Sequence, residues 1–551
     1  MRCFAGKFLC LLLTVFFLNS YGVSMAGEFS EEDPASSMER KGDFVQGDKL
    51  TVIQRPIHSI PQLCNPGQVF EIWASAPEET TGWQAFLQYE EYSIDLPVTQ
   101  SAYDQTTEWH ILNVQAPIPD FYELFDLVVL ANGIEADTAV NAVRIEPETD
   151  DSWYFIQITD THLTTHRYSY ESGYINDMSE LGDFFAVIDD INIINPKFVL
   201  HTGDVINEGE LEDYLNIGYF SAAKNAMQLL NVPIYLVPGS NDIGGWDATP
   251  PPDGTARNNW YDFFGWDILK NPNGLYPYRT QNYSFVYNGV KFIGLEAYEN
   301  YENFQPDVFG DFSFTIPQMN WLITECGTSE SSKVLFYYYD FSSLINLEVL
   351  GVDGALWGHI HADSGSASAR PFNLATAKVC DGERSYRLIK VQDGVLTPQD
   401  TCQAGSAGQN LTLSYSQPND GTKYSNTAII DNNLSLDLEH CLIKFRTPAN
   451  AVEIHASYGT ITQAAIAGAV KTVYVEAFVP ASSEVSITLS SNSGSCDVNS
   501  DGRTNLTDAI LVLRMLSGFQ QEDAIDLNVD VNGDAMLGLE EALAILGIVS
   551  H

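Results

Sequence analysis

The sequence predicts a multidomain chain: a central α/β domain, a β-sandwich on either side of it, and a small α-helical module of calcium loops at the end. Three observations carry this reading. Between 150 and 395, apolar strand-like runs such as Trp153 to Ile158, Phe198 to Leu200 and Ile234 to Val237 alternate with stretches of helical spacing, Met178 to Ile194 and Glu208 to Leu230. That alternation predicts a sheet with helices packed on it. On both sides of this region the runs are shorter, alternate polar with apolar residues and are bounded by turn residues, the signature of sandwich strands. The tail holds two loops dense in Asp and Asn, each followed by an apolar stretch.

Taken in order, residues 1–26 carry Arg2 and Lys7, then an apolar run from Phe8 to Leu18, then small residues at Ser24 and Ala26. This has the form of a cleavable secretory signal, too short to span a bilayer, and predicts a secreted or periplasmic protein with no membrane span. Residues 27–47 are polar and aperiodic and read as a flexible leader. Residues 48–149 read as the N-terminal β-sandwich, a spacer or shoulder for the next domain or else a sugar-binding module. Residues 150–395 form the α/β domain, 403–492 the C-terminal β-sandwich and 495–551 the calcium-loop module. The net charge is −47, from 26 basic and 73 acidic residues. It argues against binding nucleic acid through a basic surface. Without Cys3 and Cys10 of the signal, Cys64, Cys326, Cys380, Cys402, Cys441 and Cys496 remain. An exported chain permits disulfides among them, and Cys380 with Cys402 is the favoured pair.

Function is concentrated in four short blocks: Asp160-Thr161-His162, Gly203-Asp204, Gly239-Ser240-Asn241-Asp242 and Gly358-His359-Ile360-His361. Each follows an apolar run, so each would lie just past a strand's carboxyl end, where open α/β sheets build their sites. Residues two apart in extended chain face the same way, which lets Asp160 and His162, or His359 and His361, converge. Carboxylate plus imidazole is a ligand set for divalent transition metals.

In order and spacing these blocks resemble the calcineurin-like metallophosphoesterases over about residues 151–395. The resemblance implies two sheets facing each other between helical layers, hydrolysis of phosphate esters, and one or two divalent ions (Fe, Mn or Zn). It also implies a first metal held by Asp160, His162, Asp204 and His361. A second metal would share Asp204 and use His359. The pattern's other two ligands are replaced, by Ser240 where an Asn is expected and by Tyr338 where a lone His is expected. Asn241 takes the position of the His that assists the leaving oxygen; an amide cannot cycle a proton, and losing a general acid costs about 10² to 10⁴ in rate. Asn241 could instead turn to supply an amide oxygen. Tyr338 reads either as a phenolate ligand for ferric iron or as an aromatic packed at a strand end. Asp204 and Asn241 are thus the residues nearest the chemistry. Asp242 is expected to orient a metal-bound His, or else to cap a helix. Arg257 would clamp phosphate, or else pair with a surface acid.

In the tail, Asp497, Asn499, Asp501, Asn505 and Asp508 occupy oxygen-donor positions of one calcium loop, with Gly502 at its turn. Asp530, Asn532, Asp534 and Glu541 form a second loop, in which Ala535 replaces the turn glycine. The pair resembles a type I dockerin, which implies bound Ca²⁺ and a cohesin-like partner, although such a pair can also dock within its own chain. Two functions follow for the whole. One is an exported metal-dependent phosphoesterase with a degenerate second site. The other is a non-catalytic metal-binding scaffold docked through its tail.

Overall fold

The computed structural model describes residues 49–147, 152–209, 212, 217–243, 255–269, 280–296, 314–493, 496–499, 503–518, 529, 531 and 536–549. The expected signal and leader, residues 1–47, lie outside them. Among the described residues no helix is long and apolar enough to cross a membrane.

The central region runs β1 (Ser152–Ile158), α1 (Ser179–Ile194), β2 (Val199–His201), α2 (Tyr219–Met227), β3 (Ile234–Leu236), α3 (Thr255–Phe263), β4 (Asn282–Tyr287) and β5 (Val290–Leu295). It continues through α4 (Ile316–Cys326), β6 (Ser332–Phe336), β7 (Gly354–Trp357), β8 (Phe372–Ala375), β9 (Ser385–Gln392) and β10 (Val395–Gln403). These strands make two five-stranded sheets, ordered β3-β2-β1-β9-β10 and β4-β5-β6-β7-β8. Strands β1, β2 and β3 are parallel in the first, and β5 to β8 in the second. Parallel pairs leave several strand ends on one edge of each sheet.

The period of two along each strand explains how the sheets pack. Trp153 and Phe155 of β1, with Phe198, Leu200 and Tyr235, share one apolar cluster with Phe292, Val334, Phe336, Leu356 and Phe372 of the second sheet. The intervening residues Ile293, Leu335, Tyr337, Ala355 and Trp357 face the other way, into a cluster with Leu322 and Cys326 of α4. Aromatic rings fill the space between the sheets: Tyr235 stacks on Phe285 at 3.7 Å between centroids, and Phe198 meets Phe292 edge-on at 5.0 Å. Faces buried on both sides account for the unbroken apolar runs that marked these strands.

Three expectations need correction. Helix α2 begins only at Tyr219, after Gly218 at φ 65°, because the Glu212 carboxylate accepts the amides of Phe220 and Ser221 and caps the helix there. The first sheet does not end at 395 but runs to Gln403, since β10 pairs with β9 along its length. Cys380 and Cys402 are not joined: all six described cysteines are free and buried. Cys402 lies on β10 beside Tyr386 and Asp190, whereas Cys380 faces the opposite neighbourhood of His162 and His361.

Residues 53–145 form a four-stranded and a five-stranded sheet whose apolar residues, Ile72, Leu112, Leu127 and Val129 among them, belong to the same cluster as the central core. Residues 411–493 form another four-stranded and a three-stranded sheet. Buried Glu123 of the first of these regions accepts from Lys444 and Tyr474 of the second, each at 2.6 Å. In the tail, helices Leu506–Leu516 and Leu539–Val549 pack together around Val512 and Ile545, with Ala449, from a turn between two strands of the preceding region, in the same cluster.

Helix α1 carries a buried acid whose titration is open to test. Burial, reinforced by Asp189 and opposed by the Tyr386 hydroxyl at 2.9 Å, pushes Asp190 up to about 7. The folded chain therefore keeps a proton that the unfolded chain releases near its ordinary value. The stabilising effect is complete below about pH 4 and is lost as pH rises through about 7. Asp190→Asn keeps an acceptor for Tyr386 and should raise stability at about pH 8 by roughly 2 to 4 kcal/mol relative to wild type, with little change at about pH 4. Thermal melts at the two pH values check this, and an equal shift at both would count against it.

Candidate metal centre

The four blocks and Tyr338 meet at the carboxyl ends of β1, β2, β3, β6 and β7. Adjacent loops are stitched by backbone bonds: the Asp160 amide donates to Gly203 O at 3.0 Å, His162 to Asp204 O at 3.1 Å and Leu163 to Val205 O at 2.9 Å. Asp160, His162, Asp204, His359 and His361 have φ of 52°, 43°, 52°, 68° and 57°. Non-glycine residues in this left-handed region each cost of order 1–3 kcal/mol and persist where surrounding structure enforces them, commonly at sites.

Asp160 is fully buried. Its Oδ2 accepts from Thr159 Oγ1 at 2.9 Å and from the His359 amide at 3.0 Å, while its Oδ1 has no hydrogen-bond partner. That orphaned oxygen lies 3.5 Å from His361 Nε2 and 3.8 Å from His162 Nε2. The two Nε2 atoms are 3.1 Å apart, and Asp204 Oδ2 is 3.6 Å from that of His162. Asp160, His162 and Asp204 thus offer three ligand atoms within 4.8 Å of one another. Burial opposes ionisation of Asp160, but the neighbouring imidazoles of His162 and His361 outweigh it and hold the carboxyl below its usual range. Burial likewise opposes a charged His162, and Asp160 and Asp204 overcome it, raising the imidazole. Asp204 is pushed up to about 8, first by burial and then by the carboxylates of Asp242 and Asp160, against the pull of His162. Two buried carboxylates facing the imidazoles of His162 and His361, with one carboxylate oxygen lacking a hydrogen bond, fit a divalent cation, which would satisfy that oxygen and relieve the repulsion.

The residues expected around a second ion are arranged differently. The Tyr338 hydroxyl donates to Asp204 Oδ2 and lies 3.1 Å from His359 Nδ1, so it bridges the two residues left of that set. Burial, and then Asp204 and Asp160, raise this phenol far above its usual range, which keeps it a neutral donor. Asn241 turns back toward the first set: its amide nitrogen is 3.1 Å from Asp204 Oδ2 and 3.3 Å from His162 Nδ1, and its backbone amide donates to Asp204 Oδ1 at 2.9 Å.

Two further expectations are corrected. Asp242 does not meet a histidine. Its carboxylate accepts the backbone amides of Gly239, Val205 and Ile206 at 2.8, 3.2 and 3.1 Å, which locks the Asp204 loop to the Gly239 loop. Arg257 is buried and pairs with Glu296, with Tyr261 alongside, so its guanidinium is committed to a carboxylate rather than presented to phosphate.

Sequence reasoning missed His201 and the position of Cys380. The Gly203 amide donates to His201 Nδ1 at 3.2 Å, so Nε2 carries the proton toward Thr161 Oγ1 at 3.0 Å, which in turn donates to Val205 O at 2.7 Å. Burial holds this imidazole down to about 3, hence neutral, and the chain of bonds braces both ligand loops. Its signal was its place three residues before Asp204, at the end of a buried strand. Close approach matters too, because a Cβ at Gly358 would collide with Thr159 Oγ1 and Asp160 Oδ2. Gly358→Ala removes no ligand, yet it should lower metal affinity about tenfold or more by displacing Asp160. Equilibrium dialysis checks this, and unchanged affinity would contradict the packing argument.

Of the calcium-loop residues, Asp501, Asp530, Asn532 and Asp534 lie outside the described residues. Buried Asp508 accepts the amides of Val498, Asn499 and Asn505, and buried Glu541 accepts those of Val531 and Gly538. Asn505 caps the first tail helix through Thr507.

Residues 154–363 match the family model described as calcineurin-like phosphoesterase, and they form a domain of that family. Similar solved structures include a dimetal phosphatase from Danio rerio, 12% identical over 46% of this chain and 99% of its own, with TM-score 0.32. Another is a purple acid phosphatase from yellow lupin (Lupinus luteus) seeds, 10% identical over 66% of this chain and 70% of its own, with TM-score 0.31. No curated protein matches the chain.

Proposed function

We propose that the chain is a phosphate-ester hydrolase working with one transition-metal ion. The observation that carries this is the buried, unpartnered Asp160 Oδ1 facing the Nε2 atoms of His162 and His361 beside Asp204. Asp160, His162, Asp204 and His361 would hold the ion. When bound, such an ion supplies the positive charge that polarises a phosphoryl oxygen and acidifies a water. The chain's own residues do the rest. Thr159 and the His359 amide fix the Asp160 carboxylate, and the His201 to Thr161 relay keeps the two ligand loops in register. Tyr338 ties Asp204 to His359 where a second ion would otherwise lie, which supports a single ion. Asn241 can donate a hydrogen bond but cannot deliver a proton to a departing alkoxide. Hydrolysis should therefore favour esters whose leaving oxygen needs no proton.

The same two features, Tyr338 and Asn241, also favour the non-catalytic scaffold as a second reading. Metal analysis of the full chain, combined with turnover of an aryl and an alkyl phosphate monoester and of a diester, separates the two. One transition metal per chain with turnover confined largely to the aryl ester supports the hydrolase. One metal without turnover leaves the scaffold, and no transition metal defeats both. For the tail we retain calcium binding and docking to a cohesin-like protein as proposals, supported by the way Asp508 and Glu541 each close a loop onto its following helix.

A further inference from the structure

The turn after β8 brings a sulfur to the metal centre. The Val379 and Cys380 amides donate to Thr159 O at 3.1 Å and Asp160 O at 3.2 Å, which lays this turn along the first ligand block. Asp183 on α1 anchors its far side, accepting from the Gly382 amide at 2.7 Å and from Arg384 Nε at 2.8 Å. The Cys380 side chain is thereby buried, and its Sγ lies with His162 and His361 in a set of ligand atoms all within 4.8 Å of one another. A cysteine alone is no site. Here the unpartnered, fully buried Asp160 Oδ1 points into the same space, 3.5 Å from the Nε2 of His361.

We propose that Cys380 is a further ligand of this centre, a thiolate that selects zinc, iron(II) or cobalt(II) over magnesium and manganese. The inference rests on the single-ion reading above. Carboxylate and imidazole alone accept most divalent ions, whereas a thiolate adds a strong preference for the softer ones. Uptake exchanges the S–H bond of Cys380 for a sulfur–metal bond and releases one proton to solvent, with no change of oxidation state.

Cobalt(II) titration of the metal-free full-length chain, in calcium-containing buffer, tests this without reference to activity. Wild type should develop a sulfur-to-cobalt charge-transfer absorption in the near ultraviolet that saturates at one equivalent. Cys380→Ser should lose that absorption while still binding cobalt. Its zinc affinity should fall about tenfold or more, since even the partners of ligands are worth about 10- to 100-fold, and its manganese affinity should barely change. Zinc-edge X-ray absorption of the wild-type chain provides a check independent of any variant, with a zinc–sulfur distance of about 2.3 Å expected beside nitrogen and oxygen at about 2.0–2.2 Å. One bound cobalt with ligand-field bands and no charge transfer, or a zinc shell of nitrogen and oxygen only, overturns the role of Cys380 and leaves the metal site standing. Charge transfer that persists in Cys380→Ser also overturns it. Absence of cobalt uptake overturns the metal-site reading and this inference together.

Discussion

Asp160→Asn is expected to strip the transition metal from the full-length chain and to lower phosphoester turnover by about 10³-fold or more, the loss of several kcal/mol of charge stabilisation. The two carboxylate oxygens of Asp160 have different surroundings. Oδ2 is fixed by Thr159 and the His359 amide, and an asparagine can present its carbonyl oxygen to the same two donors. Its NH₂ group then occupies the place of the orphaned Oδ1 and can donate to the imidazole nitrogens of His162 or His361. The metal-free variant should therefore fold as well as wild type, with a buried unpaired oxygen replaced by a satisfied amide. What it must lose is the stabilisation that metal confers, about 2.7 kcal/mol when the ion is present at a hundred times its dissociation constant. Thermal melts with and without added metal, together with metal content after dialysis, measure both effects. A variant that retains one ion per chain and normal turnover would show that Asp160 is not a ligand. A metal-free variant that melts far below metal-free wild type would show that its role is structural.

What could be read from the sequence follows the range of the interactions involved. Asp160, His162, Asp204, His359 and His361 were legible because each stands two or four residues beyond a buried apolar run, so strand ends and chain direction bring them to one edge. The two facing sheets were expected only from the resemblance of these blocks to a known family, because strands such as Val334 to Tyr337, apolar on both faces, show no alternation to read. Side chains whose roles are set by a distant partner were not. Arg257 looks like a free cation until Glu296 is placed against it. Asp242 looks like a partner for a histidine until three amides from two loops converge on it. The start of α2 depends on Glu212, an acid inside what reads as a continuous helical pattern. Cys380 was read by compartment and parity as half of a disulfide. Its actual neighbours depend on the turn between β8 and β9, which no local pattern announces. The left-handed backbone at Asp160, His162, Asp204, His359 and His361 is also invisible in the residue types, since neither Asp nor His demands it.

The largest gain of function is expected from Ser240→Asn, Asn241→His and Tyr338→His made together. The triple variant should bind a second ion and raise turnover of alkyl phosphates by about 10² to 10⁴, the range associated with a positioned general acid. Tyr338 is the key to the set. Its hydroxyl donates to Asp204 Oδ2 and faces His359 Nδ1, so the phenol stands between the two residues expected to share a second ion. An imidazole at 338 removes that hydrogen bond and supplies a nitrogen on the same strand end. Asparagine at 240 adds an amide oxygen, and histidine at 241 restores a group that can lose and regain a proton near neutral pH. The buried tyrosine ring leaves some space behind, so a stability loss of about 1–3 kcal/mol is expected and must be followed by melting. Tyr338→Phe is the informative control, because it breaks the link to Asp204 without adding a ligand. It should leave metal content at one and turnover low. If the triple variant binds two ions and still hydrolyses only aryl esters, the missing acid and second ion are not what limits this chain toward alkyl esters. If it binds one ion, the pocket has been reshaped beyond these three positions, and the next constraint to relax is the Asp242 carboxylate that clamps the Gly239 loop onto Val205 and Ile206.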